Sequence, residues 1–113
     1  MARVEILDSL KKEILKKFQK ESKAIFRLMK SLEENPKKGK ELGNIGGIII
    51  KEVKYKNFRF YFFTDGFKLR CLDSSALIDL LIRFVRMSDK KHQQKTIDEI
   101  KNILRKVGAE NFN

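Results

Sequence analysis

GGIIIKEVKYKNFRFYFFTD, residues 46–65, is the most informative part of the sequence. It carries two β-rich runs, 47–55 and 58–64, joined at Lys56-Asn57. With these two residues as the loop, Tyr55 pairs with Phe58, Lys54 with Arg59, Val53 with Phe60 and Glu52 with Tyr61. Side chains alternate faces along a strand. Val53, Tyr55, Phe58, Phe60 and Phe62 therefore share one face, suited to a helical cover. Glu52, Lys54, Arg59, Tyr61 and Phe63 share the other, which the spacing predicts to be a polar surface able to meet phosphate.

The rest of the chain supplies the layers around this hairpin. Arg3–Leu7 is short, alternating and β-branched, which predicts a first strand. Asp8 stands where an N-cap belongs. Leu10, Ile14, Leu15 and Phe18 then form a helical stripe, interrupted by the polar residues 19–23 and resumed by Ile25, Leu28, Met29 and Leu32. This predicts a helical hairpin, or one kinked helix, ending before Asn35-Pro36. Residues 35–47 read as a glycine-rich loop without the spacing of a nucleotide-binding P-loop.

Beyond the hairpin, Asp65-Gly66 is a turn signal and FKLRCLD (67–73) a third strand. Ser74-Ser75 starts a helical turn running to Asp79. Leu80–Met87 is a central strand, and Ser88 or Asp89 caps a last helix. That helix buries Ile97, Ile100, Leu104 and Val107 and stops at Gly108. The class is α+β, a single domain over residues 1–113, with a helical hairpin and a C-terminal helix on an antiparallel sheet of about four strands.

Of 113 residues, 42% are hydrophobic and 36% charged, which argues for a folded chain rather than a disordered one. No apolar run approaches the roughly 20 residues needed to cross a bilayer. The N-terminal MARVEILDSLKKE lacks the apolar stretch of a signal peptide, so a cytoplasmic location is expected. Cys71 is the single cysteine, which fits a reducing compartment, and its place within an apolar strand makes it inert core. Without a Cys/His or carboxylate cluster at ligand spacing, no metal is expected. The net charge is +11, and it is densest over residues 35–63, with 7 basic and 2 acidic groups. A polyanionic partner follows from such a field, although a lysine-rich surface also serves solubility alone.

The polar face of the hairpin has parts for metal-free RNA cleavage, which needs a base, a cation for the phosphorane and an acid. Arg59 offers a bidentate phosphate contact. Glu52 or Lys54 can take a proton, and Tyr61 can stack a base or donate one. The same residues also suit an exposed sheet face with a cross-strand ion pair at Glu52. His92, the only histidine, excludes a two-histidine ribonuclease. Arg83 and Arg86 interrupt an apolar strand, so each must pair with an acid or emerge on a working face.

In order and motif the chain resembles toxins of the RelE/HigB superfamily, notably the phage-derived HigB-like branch. The resemblance rests on Leu32…Asn35-Pro36, Gly39-Lys40…Leu42, the strand IIIKEVKY, then FRFYFFTDG, and late Lys90-Lys91…Lys95-Thr96…Glu99-Ile100. Phe58-Arg59-Phe60-Tyr61 is similar to the YRxxY strand motif, whose arginine contacts the scissile phosphate.

The resemblance implies a microbial-RNase-like fold and a metal- and cofactor-independent endoribonuclease cutting mRNA, usually in the ribosomal A site. It also implies a cognate antitoxin. Arg59 is then the phosphate residue, and Lys54, Glu52, Arg83, Arg86 and His92 are the further catalytic candidates. Lys51, Lys56, Tyr61, Lys90 and Lys91 are the RNA-binding set. The arginine-then-tyrosine ending of many RelE-like chains is missing, since no tyrosine follows Tyr61. A non-catalytic RNA-binding module and a gyrase-poisoning or inactive member of the same fold are the competing expectations.

Overall fold

The computed structural model describes residues 2–70 and 80–107. The chain runs β1 (Arg3–Ile6), α1 (Asp8–Phe18), α2 (Ser22–Lys30), β2 (Lys40–Ile45), β3 (Ile48–Tyr55), β4 (Phe58–Asp65), α3 (Gly66–Arg70), β5 (Leu81–Asp89) and α4 (Gln93–Val107). The strands form one sheet in the order β1-β5-β4-β3-β2. It is an α+β architecture, but the sheet is five-stranded and mixed, because β1 pairs parallel to β5.

The central hairpin has the register expected from its alternation. Tyr55 faces Phe58, Lys54 faces Arg59, Val53 faces Phe60 and Glu52 faces Tyr61. Lys56, in the turn, adopts a left-handed φ of 54°. One face of the sheet carries Ile49, Val53, Phe60, Phe62 and Phe84 and packs on Leu10, Ile14, Ile25, Met29 and Leu32 of the helical hairpin. Phe18 meets Phe58 edge-on, with ring centroids 4.9 Å apart, a geometry favoured by the ring quadrupoles. α1 and α2 are separate helices, since Gln19 turns left-handed (φ 49°) between them. Leu15 departs from the expected stripe and is exposed, because Leu10, Ile14 and Phe18 are the α1 residues turned to the sheet.

The other face differs from the open polar surface predicted. Ile48, Ile50, Tyr61, Phe63 and Val85 lie on it, and Ile97, Ile100 and Leu104 of α4 cover them. β4 is consequently buried from both sides, as a strand with apolar residues at consecutive positions must be. The expected α4 stripe is present at these three positions.

Two segments take other forms than the local signals suggest. The glycine-rich stretch contains β2, an edge strand held antiparallel to β3 from Lys40↔Glu52 to Ile45↔Ile48. Phe67–Arg70 is helical rather than extended, because the Asp65 carboxylate accepts the N–H groups of Phe67 and Lys68 and caps a turn. The remainder of that expected strand, with Cys71, the helical turn to Asp79 and the Gly108 stop, lies outside the described residues. Asp8 is the first residue of α1 and makes no capping hydrogen bond from the preceding position, which Leu7 occupies.

A glycine contact fixes the end of the hairpin. Gly66 N–H donates to the Gly47 carbonyl at 2.8 Å, and a Cβ there would lie 2.7 Å from Ile49 Cγ1 and 2.8 Å from that carbonyl. Gly66→Ala should therefore cost about 1–3 kcal/mol of unfolding free energy through overpacking. Urea unfolding with an unchanged slope would show it, and an unchanged midpoint would contradict this packing.

Candidate nucleic-acid interface

The end of the sheet at the Lys56-Asn57 turn gathers most of the residues singled out above. Register sets Lys54 opposite Arg59, Arg59 opposite Ser88, Phe58 opposite Asp89 and Tyr61 opposite Arg86. Lys90, Lys91 and His92 follow directly from β5. Lys54, Lys56, Lys90, Lys91 and His92 are all exposed.

A bulge in β5 brings Arg86 here. Tyr61 pairs with Arg86 but Phe62 pairs with Phe84, leaving Val85 as the extra residue. Arg83 and Arg86 would point to opposite faces of a regular strand, yet both now lie on the α4 side. They end in different places. Arg83 Nη2 donates to Glu5 Oε2 at 3.0 Å, at the parallel β1 edge. Its partner Phe63 stands four residues from Arg59, about 14 Å along the strand. Arg83 is thus held apart from the other candidates, contrary to the expectation of a shared site. Arg86 Nη1 donates to the Val85 carbonyl at 2.8 Å beside Tyr61.

Under the first turn of α4, Glu52 and Arg59 form an ion pair whose side chains are only 1% and 10% exposed. Arg59 Nε stands 3.9 Å from Glu52 Oε2, beyond hydrogen-bond range. Gln93 Nε2 donates to that same oxygen at 3.3 Å. Glu52 Oε1 and Arg59 Nε make no hydrogen bond, and Arg59 Nη1 reaches only the Asn57 carbonyl at 3.5 Å. Glu52 therefore has no open path to solvent as a free general base.

Two further candidates are corrected by burial. Tyr61 is fully buried, and its hydroxyl hydrogen-bonds Ser88 Oγ at 2.7 Å. Burial pushes this phenol above its ordinary pKa. Its ring packs under α4 and presents no face for a base. Lys51 lies on the helical-hairpin side, where Nζ donates to the Lys37 carbonyl at 2.9 Å. Burial pulls its pKa down, against the raising effect of Glu41. It holds the segment before β2 rather than meeting a polyanion.

A cation-lined cleft continues this surface along the β3 edge. Its two adjoining parts, about 530 and 350 Å3, share Leu28, Lys38 and Lys54, and Arg27, Lys40 and Lys56 complete the basic lining. Lys56 also pairs with Glu21 and lies 5.5 Å over the Tyr55 ring. Its ammonium pKa is raised, chiefly by the hydrogen bond to Glu21.

Asp89, Ser88 and Gln93 are the contributors that residue type alone did not single out for chemistry. Asp89 Oδ1 accepts both the backbone N–H of His92 (2.9 Å) and its ring Nδ1–H (2.8 Å). The carboxylate fixes the imidazole orientation and leaves Nε2 free for proton transfer. Among the described residues, no group of three or more His, Cys, Asp or Glu is arranged to hold a metal ion. No described helix is long and apolar enough to cross a membrane. Comparison with known proteins finds no matching family model, no similar curated protein and no similar solved structure.

The His92 side-chain hydrogen bond, then its backbone one, depresses the Asp89 pKa. A depressed folded-state pKa contributes stability above the unfolded aspartate value, lost as pH falls through the folded value. Carboxyl-detected NMR should place the Asp89 midpoint below that of ordinary aspartates, and His92→Ala should move it part-way back. A midpoint unaffected by this change would show that the ring does not hold the carboxylate.

Proposed function

We propose that this protein is a toxin-type endoribonuclease of the RelE/HigB kind, cleaving mRNA without metal, and that Arg59 is its phosphate-contacting residue. The observation that carries the reading is the convergence, at one end of the sheet, of Arg59, Arg86 and exposed lysines with an aspartate-oriented histidine. A helical hairpin and a C-terminal helix on a mainly antiparallel sheet are compatible with the microbial-RNase-like fold this reading requires.

Each residue then has a chemical task. Lys54, Lys56, Lys90 and Lys91 attract and align the phosphate backbone. Arg59, supported by Arg86, neutralises the charge that builds on the phosphorane when the 2′-oxygen attacks. His92 Nε2 accepts the 2′-hydroxyl proton in the neutral imidazole form, with Asp89 stabilising the imidazolium that results. The protonated imidazole, or water, returns a proton to the departing 5′-oxygen. Arg83 takes no part. The ribosome, with mRNA in its A site, and a cognate antitoxin are the partners that this reading calls for.

Induced expression followed by primer extension on cellular mRNA tests it. New 5′ ends should appear with the wild-type chain, and Arg59→Ala should reduce their rate of formation by about 10²–10³-fold. Far-UV circular dichroism of the purified variant should remain native. Growth arrest with intact mRNA would favour a gyrase-poisoning member of the fold. Tight RNA binding without new ends would favour a non-catalytic module.

A further inference from the structure

The least satisfied polar groups described are also those nearest the proposed phosphate contact. Arg59 has five N–H donors. Nε makes no hydrogen bond, and Nη1 makes only the 3.5 Å contact to Asn57. Glu52, almost wholly buried, stops 3.9 Å short and leaves Oε1 unpaired. A structural arginine–carboxylate pair normally closes to two parallel bonds near 2.8 Å, because an open pair in a dry site loses hydration without full compensation. Here the guanidinium is neutralised but its fork is not occupied.

We propose that Glu52 is a positioning residue that stands in for RNA phosphate, holding Arg59 against the α4 side until a phosphodiester displaces it. Gln93 is the other half of the device. Its 3.3 Å bond to Glu52 Oε2 keeps the carboxylate under α4, turned from full engagement of the arginine. Arg59 already reaches the turn through its Nη1 contact to Asn57, so release from Glu52 leaves the guanidinium to an anion at the hairpin tip. The inference rests on the RNA reading above, and it adds a competition between an internal carboxylate and the ligand.

The test uses the full chain and a fluorescein-labelled 12-nucleotide 2′-O-methyl RNA, which cannot be cleaved by 2′-oxygen attack. Glu52→Gln keeps the shape and the Gln93 partner while removing the charge. Binding should tighten roughly five- to tenfold, as expected when a like charge near the phosphate is removed. In an Arg59→Gln background the same change should give no gain, since the competition runs through the guanidinium. The Arg59 Nε–Hε NMR signal should shift on RNA addition, at lower RNA concentration in Glu52→Gln. A merely structural Glu52 would lower thermal stability without moving affinity or that signal.

Equal affinity of wild type and Glu52→Gln, a gain that persists without Arg59, or no binding by either chain overturns the proposal. Loss of binding in Glu52→Gln also overturns it, pointing to a carboxylate that serves RNA directly. Cleavage that depends on Arg59 but lacks the affinity gain refutes this inference alone. The affinity gain without cleavage refutes the nuclease reading and leaves the competition standing.

Discussion

Pairing Tyr55 with Phe58 across the Lys56-Asn57 turn assigns every later side chain of β3 and β4 to one face of the sheet. A slip of one residue would send Phe60 and Phe62 to the α4 side and expel Tyr61 and Phe63 into the helical-hairpin side. Both cores depend on it. Phe60 and Phe62 anchor one, Tyr61 and Phe63 the other, and α4 finds its seat only on the second. The same register brings Glu52 within reach of Arg59 on a diagonal and sets Arg59 beside Ser88.

Enclosure from both sides changes the chemistry available to the polar residues of the hairpin. On an open face, Glu52 and Arg59 would form a screened surface pair of little energetic consequence. Beneath α4 the same pair sits where charge interactions are stronger and unmade hydrogen bonds costly. In the proposed RNA contact, the free N–H edge of Arg59 is a reserve of binding capacity, and the exposed lysines around the turn would provide the long-range attraction that a buried arginine lacks. Attraction and recognition thus belong to different residues in the proposed RNA contact.

The hairpin was legible because its alternation and its two-residue turn are local properties. The α4 stripe at Ile97, Ile100 and Leu104 was legible for the same reason. β2 was not, since Lys40–Ile45 has little β-propensity of its own and is extended because β3 offers a partner. Asp65-Gly66 reads as a turn before a strand, and the hydrogen bonds from Phe67 and Lys68 to the Asp65 carboxylate start a helix there instead. Strand alternation predicted which residues share a face with Arg59. It carries no information about what covers that face, so the burial of Tyr61 and Glu52 was hidden. The bulge at Val85 and the pairing of Glu5 with Arg83, 78 residues apart, are likewise tertiary facts that separate the two arginines.

A structure of the protein with a short 2′-O-methyl RNA would show whether the proposed phosphate contact is Arg59 at the hairpin tip. A phosphodiester oxygen should lie about 2.8 Å from the Arg59 guanidinium, with Glu52 withdrawn and the backbone running past Lys54 and Lys90. RNA held instead by Arg27, Lys38 and Lys40, with Arg59 still turned toward Glu52, would contradict it.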